Sequence, residues 1–182
     1  MPLAGISILL FTGSYVSLLP LAAKKMILLL FASGTLILPA FLMPLTFFGG
    51  DLFAQKQDER TMPLTLTFTF YLITYFLFLK VPVFSFMHSF MLGALCAVFM
   101  ALLINLRWKI SLHMIGLGGL SAFLLIITLT RQINLLPWIL ASVLASGIAG
   151  SSRLYLNSHS PSEIYAGYCV GVASMTACLL LF

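Results

Sequence analysis

The sequence predicts an all-α integral membrane protein, a bundle of six to seven transmembrane helices, and three observations lead there. Of the 182 residues, 62% are hydrophobic and only 7% charged, where a soluble domain carries about 25% charged residues. The apolar residues fall in uncharged runs, and a run of roughly 20 residues is what a helix needs to cross a hydrocarbon core about 30 Å thick. No run has the strict polar–apolar alternation of a membrane β-strand, and a segment in lipid must satisfy its own backbone groups, so helix is the default. A water-soluble globule is excluded. A disordered chain, a disulfide scaffold and a nucleic-acid binder go with it, because the net charge of +5 comes from a few loop residues and forms no basic stripe.

The first apolar segment, Pro2–Ala23, is read as a seventh span, interrupted by Gly5, Gly13, Ser14 and Pro20, with a short or broken helix as the alternative. It has no basic stretch and small-residue cleavage site of the secretory kind, so it is expected to stay in the mature protein. The clear runs follow as Met26–Phe48, Met62–Leu79, Val81–Leu106, Ile110–Thr130, Gln132–Ser152 and Ile164–Phe182. Together they make residues 1–182 one membrane domain. Cys96, Cys169 and Cys178 lie inside these runs without Cys-x-x-Cys spacing and read as small hydrophobes. Gly116, Gly118 and Gly119, and the small residues of Ala141–Gly150, are expected where helices approach closely.

Seven spans send the connections alternately to two faces, and the polar residues divide unevenly between them. One face carries Lys24–Lys25, Lys80 and Arg131 in short turns without an acid. The other carries Gly49–Thr61, Arg107–Ser111 and Ser151–Glu163, with every acid of the chain (Asp51, Asp58, Glu59 and Glu163) and with His113 and His159. Chemistry is expected on that second face.

Three clusters stand there. In Ser152–Glu163, Arg153 has the fork geometry for an anion such as phosphate, and His159 is a candidate nucleophile or base. Glu163, four residues on, is placed to hold that imidazole. Ser160-Pro161-Ser162-Glu163 is equally a capping box, with Ser160 as N-cap and Pro161 at the first helical position. In Arg107–His113 the Arg-Trp-Lys triplet fits interfacial anchoring; Ser111 is an N-cap candidate at a helix start whose N–H groups suit an anion, with His113 close by. Lys56–Pro63 reads as a solvated loop with Thr61 near an N-cap and Pro63 in the first turn, or as two more cations, Lys56 and Arg60, for the same anion.

Taken together the clusters resemble the motifs of the type 2 phosphatidic acid phosphatase (PAP2) superfamily, which are KxxxxxxRP, PSGH and SRxxxxxHxxxD. Ser152-Arg153, His159 and Glu163 match the spacing of the third, with Glu for Asp. Ile110-Ser111-Leu112-His113 keeps the Ser and His of the second without its Pro and Gly. Lys56, Arg60 and Pro63 stand for the first at altered spacing, so the resemblance covers about residues 56–182. It implies a PAP2-like core and an integral-membrane lipid phosphatase that works without a metal or other cofactor. His159 would form a phosphohistidine, Glu163 would orient it, and His113 would protonate the leaving oxygen. Arg153, Arg60, Ser111 and Lys56 would hold the phosphate. The implied partner is a membrane lipid monophosphate or prenyl diphosphate reaching the site through the bilayer. The alternative is a weak or inactive relative with a structural or lipid-binding role in a membrane complex. If phosphate binding accounts for the cations of the polar face, the positive-inside rule puts Lys24, Lys25, Lys80 and Arg131 in the cytoplasm and the motifs outside the inner membrane.

Overall fold

The computed structural model describes residues 2–12, 19–37, 57–81 and 84–181, with the backbone alone for 57–60. Among these residues it is all α, with seven helices: α1 (Pro2–Phe11), α2 (Leu21–Ala32), α3 (Gln57–Phe78), α4 (Ser85–Asn105), α5 (Leu112–Arg131), α6 (Leu136–Tyr155) and α7 (Pro161–Leu181). A single wide turn, Ser33–Ile37, continues α2. Four helices, α3 (over Thr61–Phe78), α4, α5 and α7, are long and apolar enough to cross a membrane. The fifth long helix, α6, is diluted by Ser142, Ser146, Ser151, Ser152 and Arg153.

The distribution of side chains is that of a protein solvated by lipid. On α6 the buried residues are Ser142, Ser146 and Gly150, while Leu140, Leu144 and Ile148 face outward, the last 73% exposed. Ser142 Oγ lies 3.1 Å from Ser121 Oγ of α5 and also donates to the Ile139 carbonyl at 2.8 Å. In water this arrangement would be inside out; in hydrocarbon it satisfies the hydroxyls internally and leaves the apolar groups to the solvent they match.

The tightest packing joins α5 and α7, and glycine makes it possible. A β-carbon on Gly118 would run into the Tyr168 carbonyl, one on Gly171 into the Ile115 carbonyl, and one on Gly167 would stand 2.8 Å from the Ser111 carbonyl. Gly167 and Gly171 are four apart on one face of α7, the small-xxx-small spacing that brings helix backbones together. This pair carries the contact, and the sequence reading had not singled it out. Within Ala141–Gly150 only part is used for packing, since a β-carbon on Gly147 would meet nothing within 4 Å. Toward the opposite end, Phe31, Phe78, Phe90 and Phe123 form a buried aromatic column, with the Phe31 and Phe78 rings edge-on at 4.8 Å and those of Phe90 and Phe123 at 4.0 Å.

Three expectations change. Pro2–Ala23 is not one helix: α1 stops at Phe11, and its 10 residues rise only about 15 Å, half a bilayer. Lys24 and Lys25 lie in the first turns of α2 behind Pro20, not in a turn between spans. The expected loop before Met62 is helical from Gln57, which makes Pro63 an interior residue and takes Thr61 off the cap. Asp58 and Glu59 then occupy the first turn, where the helix dipole favours acids. The second half of the run Met26–Phe48 lies outside the described residues.

Candidate functional site

The site is built at one end of the bundle by two loops, Leu106–Ser111 between α4 and α5, and Leu156–Ser160 between α6 and α7. The second loop turns because Asn157 takes a left-handed conformation (φ 49°), which asparagine tolerates better than most residues. The Ser158 amide and hydroxyl both donate to the Arg153 carbonyl at 3.1 Å. These bonds curl the chain back over the end of α6 and deliver His159 to the start of α7.

There His159 Nδ1–H donates to Glu163 Oε2 at 2.6 Å, with the two side chains 7% and 15% exposed. The length is that of a charge-assisted bond. It presents Nδ1–H to the carboxylate and so selects the tautomer with its lone pair on Nε2. The capping box is half made: the Glu163 amide donates to Ser160 Oγ at 3.4 Å, while the Glu163 carboxylate turns to the imidazole.

Arg153, whose carbonyl holds Ser158 beside His159, carries its guanidinium to the second histidine. Its Nη2 lies 3.1 Å from both ring nitrogens of His113. The lone pairs of those nitrogens diverge, and equal distances to both place Nη2 out of the ring plane, so the contact is a charge set over the ring, not one directed hydrogen bond. His113 is exposed, in the first turn of α5. Ser111, the N-cap of α5, is fully buried; its amide donates to the Glu163 carbonyl at 3.4 Å, tying the start of α5 to the start of α7. Its hydroxyl makes no capping bond and has no partner among the described residues. A buried hydroxyl left so is destabilising by about 1–3 kcal/mol until something accepts or donates to it.

Five residues expected from the sequence thus collect at one end of the bundle, in two contact groups: His159, Glu163 and Ser111, and Arg153 with His113. Arg60 is placed by its backbone in α3, whose start reaches the same end of the bundle through the Asn105 Nδ2 to Thr61 Oγ1 bond of 3.4 Å. Lys56 lies outside the described residues.

Two residues were missed. Lys109, read as a membrane anchor, donates from Nζ to the Ser158 carbonyl at 2.9 Å and so clamps one loop to the other next to His159. Its position two residues before Ser111 was the available signal. Asn105 is 1% exposed at the end of α4, and the signal was a lone amide in an otherwise apolar helix. Trp108 and Arg107 are exposed beside them and keep the anchoring reading.

Chemically the arrangement offers a carboxylate-oriented imidazole, a second imidazole, two fixed cations and a buried hydroxyl at a helix start. Among the described residues no three His, Cys, Asp or Glu side chains come together to hold a metal ion. Compared with known proteins, the chain matches no family model, no curated protein and no solved structure.

Proposed function

We propose that this protein is an integral-membrane phosphatase of lipid phosphates, with its site at the membrane surface and a PAP2-like core. The observation that supports this most is the 2.6 Å bond between His159 and Glu163, at the same end of the bundle as the Arg153–His113 contact. In the first step His159 Nε2 attacks phosphorus, the bond from phosphorus to the lipid oxygen breaks, and His113 gives that oxygen a proton. In the second, water attacks the phosphohistidine while His113 takes its proton, releasing inorganic phosphate and restoring His159. Glu163 stabilises the imidazolium character that His159 gains. Arg153 turns from His113 to the phosphate oxygens, joined by Ser111, Arg60 and Lys56. Phosphoryl transfer asks mainly for positioning and charge stabilisation, which these groups supply.

In this reading α6 and the run Met26–Phe48 join the four apolar helices to give six spans, with α1 as a half-span. The site faces away from the cytoplasm of a plasma (inner) membrane, because the cations left after phosphate binding favour the end that carries Lys24, Lys25, Lys80 and Arg131. A Gln57→Cys variant in intact spheroplasts should react with an impermeant maleimide and a Lys80→Cys variant should not; the reverse pattern inverts the topology.

The deciding experiment is release of inorganic phosphate by the detergent-purified protein from phosphatidic acid, phosphatidylglycerophosphate and undecaprenyl diphosphate, with and without vanadate. Vanadate-sensitive release from at least one is expected. No release from any would overturn the proposal in favour of an inactive, lipid-binding subunit, the reading that the missing Pro and Gly around Ser111 favour.

A further inference from the structure

Beneath the polar network the bundle leaves a cavity of about 220 Å³ between α3, α4 and α5, with α7 and Pro2 of α1 closing it. Small residues line it on two helices, Ala94, Ala97 and Ala101 on α4 and Gly116 and Gly119 on α5. Its upper rim is Leu112, the residue between Ser111 and His113. Its far end is formed by bulky side chains, Tyr71, Phe90 and Met175. On α4 the lining runs from Phe90 to Ala101, a depth of about 16 Å along a helix.

The lining does not call for water. The Thr67 hydroxyl is already bonded to the Pro63 carbonyl at 2.8 Å, and apart from Tyr71 the other lining groups are apolar. Apolar cavities of this kind stay dry and take apolar occupants. The volume is below the roughly 300–1,000 Å³ that encloses a whole drug-sized ligand. Spread over the depth, it makes a narrow channel.

Resting on the phosphatase reading above, we propose that this channel holds one unbranched acyl chain of the lipid whose phosphate meets His159, and that Tyr71, Phe90 and Met175 set the chain length. A prenyl chain carries a methyl branch on every unit and needs a wider slot. Because a chain leaving the bilayer gains little from simple transfer between two apolar media, selection comes from fit. A short chain leaves a void at the closed end, and a long one collides with it.

The test uses the full chain in phosphatidylcholine nanodiscs containing either phosphatidic acid with a diazirine at one acyl terminus or a prenyl diphosphate with a diazirine at its chain terminus. After irradiation the labelled residues are mapped by mass spectrometry. The acyl probe should label peptides containing Tyr71, Phe90 or Met175, at least about tenfold more than the prenyl probe does. An Ala97→Phe variant should move the acyl label to outward residues such as Leu144 and Ile148. In wild type, unlabelled phosphatidic acids of graded chain length should compete with a sharp optimum, a readout that survives if the variant does not fold. Label confined to outward residues in wild type, equal labelling by the prenyl probe, or competition indifferent to chain length would each overturn the proposal. Labelling needs no turnover, so it can succeed in a protein that releases no phosphate and fail in one that does.

Discussion

The two ends of the bundle carry the same residue types and use them in opposite ways. At one end His159 faces a carboxylate, Arg153 faces a second histidine, and Ser111 keeps an unused hydroxyl. At the other end His88 Nε2 lies 3.1 Å from the Phe78 carbonyl with its ring 5.3 Å from the Phe78 ring, and Arg131 sits over the Phe86 ring at 5.6 Å. There Ser89 Oγ donates to the Ser85 carbonyl. These three polar groups are matched to backbone or to an aromatic face, which finishes their work in packing. At the first end polar groups are matched to each other, and a group that meets another titratable group can exchange charge with a third party. A histidine and an arginine near a membrane surface are therefore not a site; their partners decide.

The largest test of this contrast is a pair of histidine replacements at opposite ends. His159→Ala should bring phosphate release to background and His113→Ala should lower it about 10²- to 10⁴-fold, the range of a general acid. His88→Ala should leave release within a few-fold and lower thermal stability in detergent by the roughly 0.5–1.5 kcal/mol of one hydrogen bond. An active His159→Ala protein would break the comparison outright.

A matched pair of glycines asks whether the site depends on helix packing below it. Gly171→Leu drives a side chain into the Ile115 carbonyl, where backbone cannot yield, and overpacking of this kind is destabilising by about 1–3 kcal/mol or more. The melting temperature should fall by several degrees, at about 2–4 °C per kcal/mol for a chain of this size. Gly147→Leu, in open space, should leave it unchanged. Equal effects would show that the α5–α7 contact is not what holds the two loops together.

Glu163 separates structural support from catalysis. Gln keeps the Glu163 amide bond to Ser160 and can still accept from His159 Nδ1–H, so Glu163→Gln should keep the melting temperature within a few degrees, on the scale of one hydrogen bond. It cannot neutralise an imidazolium, and phosphate release should fall at least about tenfold. Glu163→Asp should retain activity where the shorter chain still reaches Nδ1. Wild-type turnover by Glu163→Gln would reduce the carboxylate to a structural hydrogen-bond partner of His159.

The smallest expected effects compare two cations. Lys109→Met removes the clamp on the Ser158 carbonyl and should lower kcat severalfold with little change in KM, and Lys109→Arg should recover part of it. Arg131→Gln, at the other end, should leave both kinetic constants alone and weaken stability by about 0.5–1 kcal/mol, the scale of an exposed cation–π contact. If the two variants behave alike, Lys109 is the interfacial anchor its neighbours are.

Much of the site was legible because its chemistry is local. His159 and Glu163 are four residues apart across a helix start, so the spacing puts them within reach, and the turn at Asn157 and Ser158 completes the contact. Ser160 and Pro161 mark the helix start that fixes their orientation. The Lys109 contact was not legible because a lysine beside tryptophan at the end of a span has an ordinary explanation, and its partner is a carbonyl 49 residues away. The Gly167–Gly171 pair was overlooked for a related reason. Glycines four apart matter only if another helix crosses there, and the more conspicuous Gly116–Gly119 cluster drew attention to the partner helix instead.

Composition and run length settle the solvent, the helical class and the end of the bundle where polar groups collect, since each depends on the sum of many side chains and on no particular contact. Periodicity also settles pairs within a turn of each other. Only the tertiary structure decides which loops meet, that Arg153 faces His113, that Ser111 is buried with its hydroxyl unused, and that five small residues on two helices leave a channel beneath them. Those features arise from groups distant in sequence, and their placement follows from how closely backbones can approach at a few glycines, a property that only the assembled bundle possesses.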